Sequence, residues 1–234
     1  MINSRLNKRG AASEPDEPAS QPTDTPVSPG ESNTAKAKRQ SDIKNVISTI
    51  AILILAPLIA IFLSAFVFQS YRVDGSSMET TLQNNDWLIV WKLPRTWSRI
   101  TGHQYVPKRG DVVIFVGGQQ LVPFGQDASK QLVKRVVALP GESVEVKNGQ
   151  LLVFNKQHPN GFDPDKTLAY GKVIGDTEPM NTNGIIKLGP NQIFVCGDNR
   201  PGSLDSRSFG PVQLNSVVGQ LVLRFLPLDK TKAF

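Results

Sequence analysis

An uncharged apolar stretch from Asn45 to Tyr71 constrains this chain more than any other feature. Its central part, from Val46 to Phe68, would form a helix of about 34 Å, which is long enough to cross the hydrocarbon core of a bilayer. The stretch is too long for the apolar segment of a cleavable secretory signal, and no small-x-small motif closes it cleanly. We therefore predict one uncleaved transmembrane helix at residues 45–70.

The flanking charges predict the orientation of this helix. Lys36, Lys38, Arg39 and Lys44 precede the apolar stretch, whereas Arg72 is the only cation that follows it up to position 91. Cations accumulate on the cytoplasmic side of membrane helices, so residues 71–228 are predicted to be extracytoplasmic. Residues 1–44 consist mainly of small, polar and charged types, which predicts a disordered cytoplasmic tail.

Downstream of the apolar stretch, the pattern is typical of β-structure. Short apolar or alternating runs such as "DWLIVW", "DVVIFV", "QLVKRVVAL", "SVEV", "QLLVF", "NQIFVC" and "VVGQLVLRFL" are separated by turn residues. Asn148 and Gly149 supply the positive φ angles of a two-residue hairpin turn. These features predict an antiparallel all-β domain.

The composition limits the classes of partner and of bound group that can be expected. The formal charge is +6, but the cations are scattered among acids without a basic stripe, so no nucleic-acid partner is expected. An anionic membrane surface explains the mild basic excess. Cys196 is the only cysteine, which excludes an intrachain disulfide and a multi-cysteine metal site. Its position in an apolar run predicts a buried core residue.

The segment "VDGSSMETTL" places Ser77 just beyond the membrane span. A serine hydroxyl needs an adjacent base to become a nucleophile. Both histidines, His103 and His158, lie in polar, turn-rich segments that are typical of the surface. Lys134 is embedded in an apolar strand, and burial could lower the pKa of its amine from about 10.4 toward 7 or 8. Cations are also ordinary on half-exposed strands, so this pattern alone leaves both interpretations open.

A third segment, "GDNRPGSLDSRSFG" at 197–210, follows the strand that ends at Cys196. It is either a solvated surface loop or a network in which Asp and Arg side chains hydrogen-bond to one another and fix the shape of the loop.

Together, the Ser-Met pair, "RGDVVIF", "KRVVALPGE", "GDNR" and "SLDSR", in this order, resemble bacterial type I signal peptidases over about Ile43–Leu228. These are membrane-anchored serine peptidases with a Ser-Lys dyad. The resemblance implies that Ser77 is the nucleophile, that Lys134 is the general base and that Ser203 orients the lysine. It also implies a structural network of Asp198, Asn199, Arg200, Asp205 and Arg207.

Two positions depart from the family pattern. Thr80 replaces the usual proline after the nucleophile, and Gly75 stands where some members have a serine that helps to hold the oxyanion. The oxyanion is therefore expected to rely mainly on the backbone N–H of Ser77. Ser76 is expected to point away from the site.

The resemblance implies that the substrates are secretory preproteins, which are cut after small-x-small motifs such as Ala-x-Ala as they leave the translocon. Shallow pockets that exclude large side chains would be lined by Tyr71, Val73, Met78, Leu82, Leu132 and Val133, although core packing is an alternative for each. Trp91, Leu93 and Trp97 are expected either at the membrane interface or in the core.

We therefore predict an all-β peptidase in the bacterial cell membrane, preceded by a single-pass helix. The antiparallel catalytic core would comprise about 72–142 and 191–228, with a small inserted β cap at about 143–190. No metal or cofactor is implied. The alternatives are a processing peptidase dedicated to a few exported substrates and an inactive membrane-anchored binding module.

Overall fold

A computed structural model describes residues 31–117, 129–167, 173–177 and 184–234. The chain forms two compact units, residues 1–53 and residues 54–234. Helix α1 (Glu31–Phe62) and a π-helical turn (Leu63–Val67) contain most of the helix predicted at 45–70, but its last three residues, 68–70, belong instead to a β-strand (Phe68–Arg72). The segment Lys38–Val67 is long and apolar enough to cross a membrane, with a mean hydropathy of 2.9.

Helix α1 begins earlier than the sequence predicted. Residues 31–44, which were expected to belong to a disordered tail, are helical. This segment contains no proline and several strong helix formers, so it can extend the helix that the apolar span forms. The rest of the predicted tail, residues 1–30, lies outside the described residues.

The remaining elements follow in chain order. They are β1 (Phe68–Arg72), β2 (Trp87–Trp91), α2 (Leu93–Thr101), β3 (Val112–Val116), β4 (Gln131–Ala138), β5 (Ser143–Lys147), β6 (Gln150–Phe154), α3 (Pro164–Thr167), β7 (Ile186–Lys187), β8 (Gln192–Cys196), α4 (Ser206–Phe209), β9 (Val212–Gln213), β10 (Val217–Leu226) and β11 (Lys232–Ala233).

The described strands form two antiparallel sheets. The larger sheet has the order β1-β2-β10-β3-β4-β8-β9, and β11 pairs with β10. The smaller sheet has the order β6-β5-β7, and its strands lie within the range predicted for the cap. The predicted hairpin turn is confirmed, because β5 pairs with β6 around Asn148 and Gly149, whose φ angles are 52° and 73°.

Strand β4 lies between β3 and β8 and is buried on both faces over its second half. Val137 on one face packs with Cys196 of β8 and with side chains of the small sheet. Val136 on the other face packs with Phe115 of β3 and with residues of β8 to β10. Cys196 is buried, as predicted. Packing on both faces therefore holds β4, and the side chains that it carries, in a fixed position.

Helix α2 was not predicted. It is short, it has Pro94 in its first turn, and it ends at Gly102, which adopts a left-handed conformation with φ 73°. Proline near the start and glycine after the end are both favoured at helix termini. Because nine residues give only about two turns, the helical period is hard to recognise in the sequence.

Candidate active site

The structure brings Ser77 and Lys134 together. Ser77 lies in the turn that follows β1, and the apolar side chains of Met78 and Leu82 anchor this turn in a buried cluster. Lys134 projects from β4, and its Nζ lies 2.7 Å from Ser77 Oγ. This is the distance at which a neutral lysine can accept the hydroxyl proton.

Burial changes the protonation of Lys134. The residue is only 4% exposed. Loss of solvation lowers the pKa of the amine from 10.5 to about 8, and this outweighs the nearby carboxylate of Asp205, which acts to raise it. About a tenth of Lys134 is therefore neutral at pH 7, compared with less than about a thousandth of an ordinary lysine, and only the neutral amine can accept a proton.

Gly197 permits the close approach of three segments. A Cβ at this position would clash with the side chain of Ser203 and with the carbonyl oxygen of Ser77. The next turn holds the nucleophile segment through Asn199, whose backbone N–H donates to the Ser77 carbonyl at 3.1 Å and whose Nδ2 donates to the Ser76 carbonyl at 3.2 Å. The loop after β8 thus positions Ser77 through its backbone.

Arg135 and Asp198 form a buried ion pair beside the dyad, which the sequence did not predict. The Arg135 guanidinium donates to both Asp198 oxygens, at 2.8 and 2.6 Å, and to the Gly110 carbonyl at 2.7 Å. Thr81, from the nucleophile turn, donates its hydroxyl to the same carboxylate. This network connects β4, the nucleophile turn and the loop after β8. The adjacent Lys-Arg pair in an apolar strand was the available signal, but the partner of Arg135 lies far away in the sequence.

Asp205 and Arg207 also form a buried pair. Arg207 donates to both carboxylate oxygens of Asp205 at 2.8 Å, and the Gly197 N–H donates to one of them at 3.0 Å. Arg207 also donates to the Arg200 carbonyl at 2.7 Å. Arg200 in turn binds Asp165 and Thr177, at 2.7 Å each. The loop at 197–210 is therefore a hydrogen-bonded network rather than a solvated surface loop.

Ser203 lies beside Gly197, but its hydroxyl has no hydrogen-bond partner among the described residues. The orientation of Lys134 by Ser203, which the resemblance implies, is thus not present as a hydrogen bond in this state. A buried hydroxyl without a partner is uncommon in folded proteins.

A groove with a volume of about 380 Å³ runs past the dyad. Four of the six residues predicted as pocket residues line it, namely Tyr71, Val73, Leu132 and Val133. The other two, Met78 and Leu82, do not line this groove. They are 1% and 0% exposed in the core beneath it, because the turn after β1 directs their side chains inward. For these two residues the alternative of core packing is correct.

The groove passes between two strand edges that lack partners in the described part of the chain. Strand β1 pairs only with β2, and β4 pairs with β8 only from Arg135 onward. The unpaired edge of β1 at Tyr71 and Arg72 and the unpaired edge of β4 at residues 131–134 both line the groove. Tyr71 also has a buried hydroxyl without a partner among the described residues.

The other candidates lie away from the dyad. His103 and His158 are exposed, and His158 packs on Phe162 with ring centroids 4.7 Å apart. Trp97 and Leu93 are exposed on α2, whereas Trp91 is half-buried. Within the described residues, no group of three or more His, Cys, Asp or Glu side chains is arranged to hold a metal ion.

Comparison with known proteins gives consistent matches. A profile of the family described as "Signal peptidase, peptidase S26" matches residues 46–226. Signal peptidase I of Bacillus caldolyticus is 34% identical over 170 residues, which cover 72% of this chain and 85% of that protein. Signal peptidase I P of Bacillus subtilis subsp. natto is 32% identical over 202 residues, covering 84% and 97%. Signal peptidase I of Leptolyngbya laminosa is 30% identical over 219 residues, covering 94% and 95%.

Proposed function

Because the chain belongs to the S26 family of signal peptidases, we propose that it removes signal peptides from exported preproteins by means of a Ser77–Lys134 dyad. Membership of this family makes it a serine peptidase, and exported preproteins are the substrate class of the family. The observation that carries the dyad is the 2.7 Å distance between Lys134 Nζ and Ser77 Oγ, with the lysine buried.

In the proposed reaction, neutral Lys134 accepts the proton of Ser77 as Oγ attacks the scissile carbonyl. The resulting ammonium then protonates the leaving amine, and a water molecule activated by the same lysine hydrolyses the acyl-enzyme. The backbone N–H of Ser77 would donate to the oxyanion. This assignment is supported because that N–H donates no hydrogen bond within the described residues.

We propose that the substrate binds in the groove as an extended strand. The unpaired edges of β1 at Tyr71 and Arg72 and of β4 at residues 131–134 can hydrogen-bond to a peptide that lies between them. Alternate side chains of such a peptide would then point toward Tyr71, Val73, Leu132 and Val133. A shallow pocket of this kind admits alanine and excludes large residues, which supports cleavage after Ala-x-Ala-like motifs.

The selectivity of the groove and the role of Lys134 can both be tested with the full chain in detergent micelles. A preprotein with alanine before the cut should be processed, whereas phenylalanine at that position should block cleavage. Lys134→Arg should be inactive, since a guanidinium does not give up its proton at working pH. Lys147→Arg, on the exposed hairpin, is the matched control and should retain activity. Normal turnover by folded Lys134→Arg would rule out the dyad.

The same assay separates the two alternatives. A peptidase dedicated to a few substrates would cleave only some of a panel of preproteins, although each carries a small-x-small motif. An inactive binding module would retain preproteins without cutting any of them. A buried lysine next to a serine favours the enzyme, because binding an extended peptide requires neither side chain.

We further propose a single-pass topology in the bacterial membrane, with the N-terminus cytoplasmic and the catalytic domain outside, near the translocon. Because Cys196 is buried, an introduced cysteine would be the accessible thiol. In intact cells, a membrane-impermeant maleimide should label Gln157→Cys, on an exposed turn, but label Ser41→Cys only after permeabilisation. The reverse pattern would overturn this orientation.

A further inference from the structure

Helix α2 exposes its apolar face and turns polar side chains toward the protein. Leu93, Trp97 and Ile100 lie on one face, at spacings of four and three residues, and are 38%, 63% and 74% exposed. From the other side of the helix, Arg95 donates to the Asn215 carbonyl at 3.1 Å. A helix on a water-soluble domain normally has the opposite arrangement, with its apolar face against the core.

The first turn of α2 is bonded to the end of the apolar span. The Lys92 N–H donates to the Val67 carbonyl at 2.7 Å, and its Nζ donates to the carbonyls of Ser64 and Ala65, at 3.2 and 2.9 Å. Thr96 Oγ1 lies 3.1 Å from the Phe66 carbonyl and donates to it. These carbonyls belong to the last turn of the segment that is long and apolar enough to cross a membrane. The start of α2 is therefore held where that segment ends.

The charge on α2 fits an anionic surface. Lys92, Arg95 and Arg99 are its cations, and none of the ion pairs between described residues involves them. Burial and the neighbouring Arg99 guanidinium both lower the pKa of Arg95. A negative charge placed nearby would therefore relieve the repulsion between the two guanidinium groups. Lipid phosphates at the edge of the bilayer are such charges, and tryptophan is enriched at the same depth.

We propose that α2 is an interfacial helix that inserts Leu93, Trp97 and Ile100 into the outer leaflet of an anionic bilayer and so fixes the height of the Ser77 groove above it. The helix is about 13 Å long and lies on the surface instead of spanning the bilayer. Because α2 is bonded to the end of the span, the insertion restrains the catalytic domain at a second place.

The docking is tested by the fluorescence of Trp97 in the full chain. Trp87→Phe and Trp91→Phe remove the other two tryptophans. In phosphatidylglycerol-containing vesicles, lipids brominated near the headgroup should quench Trp97 more than deeply brominated lipids, and aqueous acrylamide should quench it weakly. Ile185→Trp in a background without the three tryptophans is the control. It is an exposed apolar position next to β7 of the small sheet, which packs beside β4 and β8, and should stay open to acrylamide.

Two results would overturn the docking. The first is acrylamide quenching of Trp97 as strong as that of the control. The second is protection of Trp97 that depends on the protein-to-lipid ratio without quenching by bromolipid, which would indicate that a second copy of the chain covers the helix.

The proposal that α2 sets the height of the Ser77 groove rests on the proposed peptidase function. It is tested separately, by comparing cleavage of two kinds of substrate. Trp97→Ser with Ile100→Ser should lower cleavage of a membrane-embedded preprotein several-fold, while cleavage of a short soluble peptide is unchanged. Ile185→Ser is the matched control and should affect neither substrate. Equal losses on both substrates would mean that α2 supports only the fold. Quenching does not depend on peptidase activity, so a failure of the docking is distinguishable from a failure of the proposed function.

Discussion

Lys134→Met should abolish peptidase activity and yet stabilise the folded domain at neutral pH. The pKa of Lys134 falls from 10.5 to about 8, which corresponds to about 3 kcal/mol by which the folded state disfavours the protonated amine. Methionine is similar in length and apolar, so it removes this cost. Loss of the hydrogen bond to Ser77 offsets about 1 kcal/mol, which leaves a net gain of about 2 kcal/mol in the free energy of unfolding.

The gain must depend on pH in a definite direction. Between the folded pKa of about 8 and the unfolded value of 10.5, unfolded Lys134 binds a proton and folded Lys134 does not. The stability of the native protein therefore rises with pH across this range. The methionine variant lacks this rise. Its advantage should be largest below pH 8, should disappear near about pH 10 and should become a small deficit above that, because only the lost hydrogen bond then remains.

Denaturant unfolding of the full chain in detergent micelles, followed by circular dichroism from pH 7 to 10, measures both effects. Lys147→Met on the exposed hairpin is the control and should change stability little at any pH. A Lys134→Met variant that is less stable than the native protein, or a difference that does not narrow toward pH 10, would refute the argument that Lys134 is desolvated.

The activity of the native protein should follow the same titration. With a pKa of about 8, neutral Lys134 increases from about 10% at pH 7 to about 90% at pH 9. The acylation rate should therefore rise almost tenfold over this interval and then level off. A rate that keeps rising to pH 10.5 would indicate that the base is an ordinary solvated lysine whose pKa is not lowered.

Three further substitutions test the surroundings of the dyad. Gly197→Ala should lose most activity and about 1–3 kcal/mol of stability, because its Cβ would clash with Ser203 and the Ser77 carbonyl; normal kcat would contradict this close approach. Arg135→Lys should destabilise the fold by about 2 kcal/mol in denaturant unfolding, since lysine cannot make the bidentate pair with Asp198; unchanged stability would show that this pair is dispensable. Ser203→Ala should leave unfolding unchanged, because the hydroxyl has no partner among the described residues, but should lower kcat if that hydroxyl orients the lysine during turnover.

Local patterns were sufficient to predict the elements whose structure is decided locally. The uncharged run predicted a helix, and Asn148-Gly149 predicted the hairpin turn. The pairing of Arg135 with Asp198 could not be predicted in this way. It depends on the register of β4 against β8, where Arg135 lies opposite Cys196, and a sequence pattern does not specify that register.

The errors also have physical causes. Met78 and Leu82 were placed in the groove because apolar residues near a nucleophile suit a substrate pocket. In the structure, the turn after β1 directs both into the core, and alternation rules do not apply to turns. Helix α2 was missed because it has only nine residues, so the spacing of Leu93, Trp97 and Ile100 is its whole helical pattern.

The acids and bases around Lys134 shift the pKa of its amine in opposite directions. The charges of Asp205 and Asp198 raise the pKa of the lysine, and the charge of Arg207 lowers it. Each carboxylate is paired with an arginine, Asp198 with Arg135 and Asp205 with Arg207, and each also accepts a hydrogen bond from a further donor. Because a guanidinium fits a carboxylate in a bidentate way and stays charged, each pair has a weaker electrostatic effect on the lysine than the carboxylate alone would have. Desolvation is the largest influence on the pKa of Lys134 and lowers it to about 8, which supports the proposed transfer of the Ser77 proton to this amine.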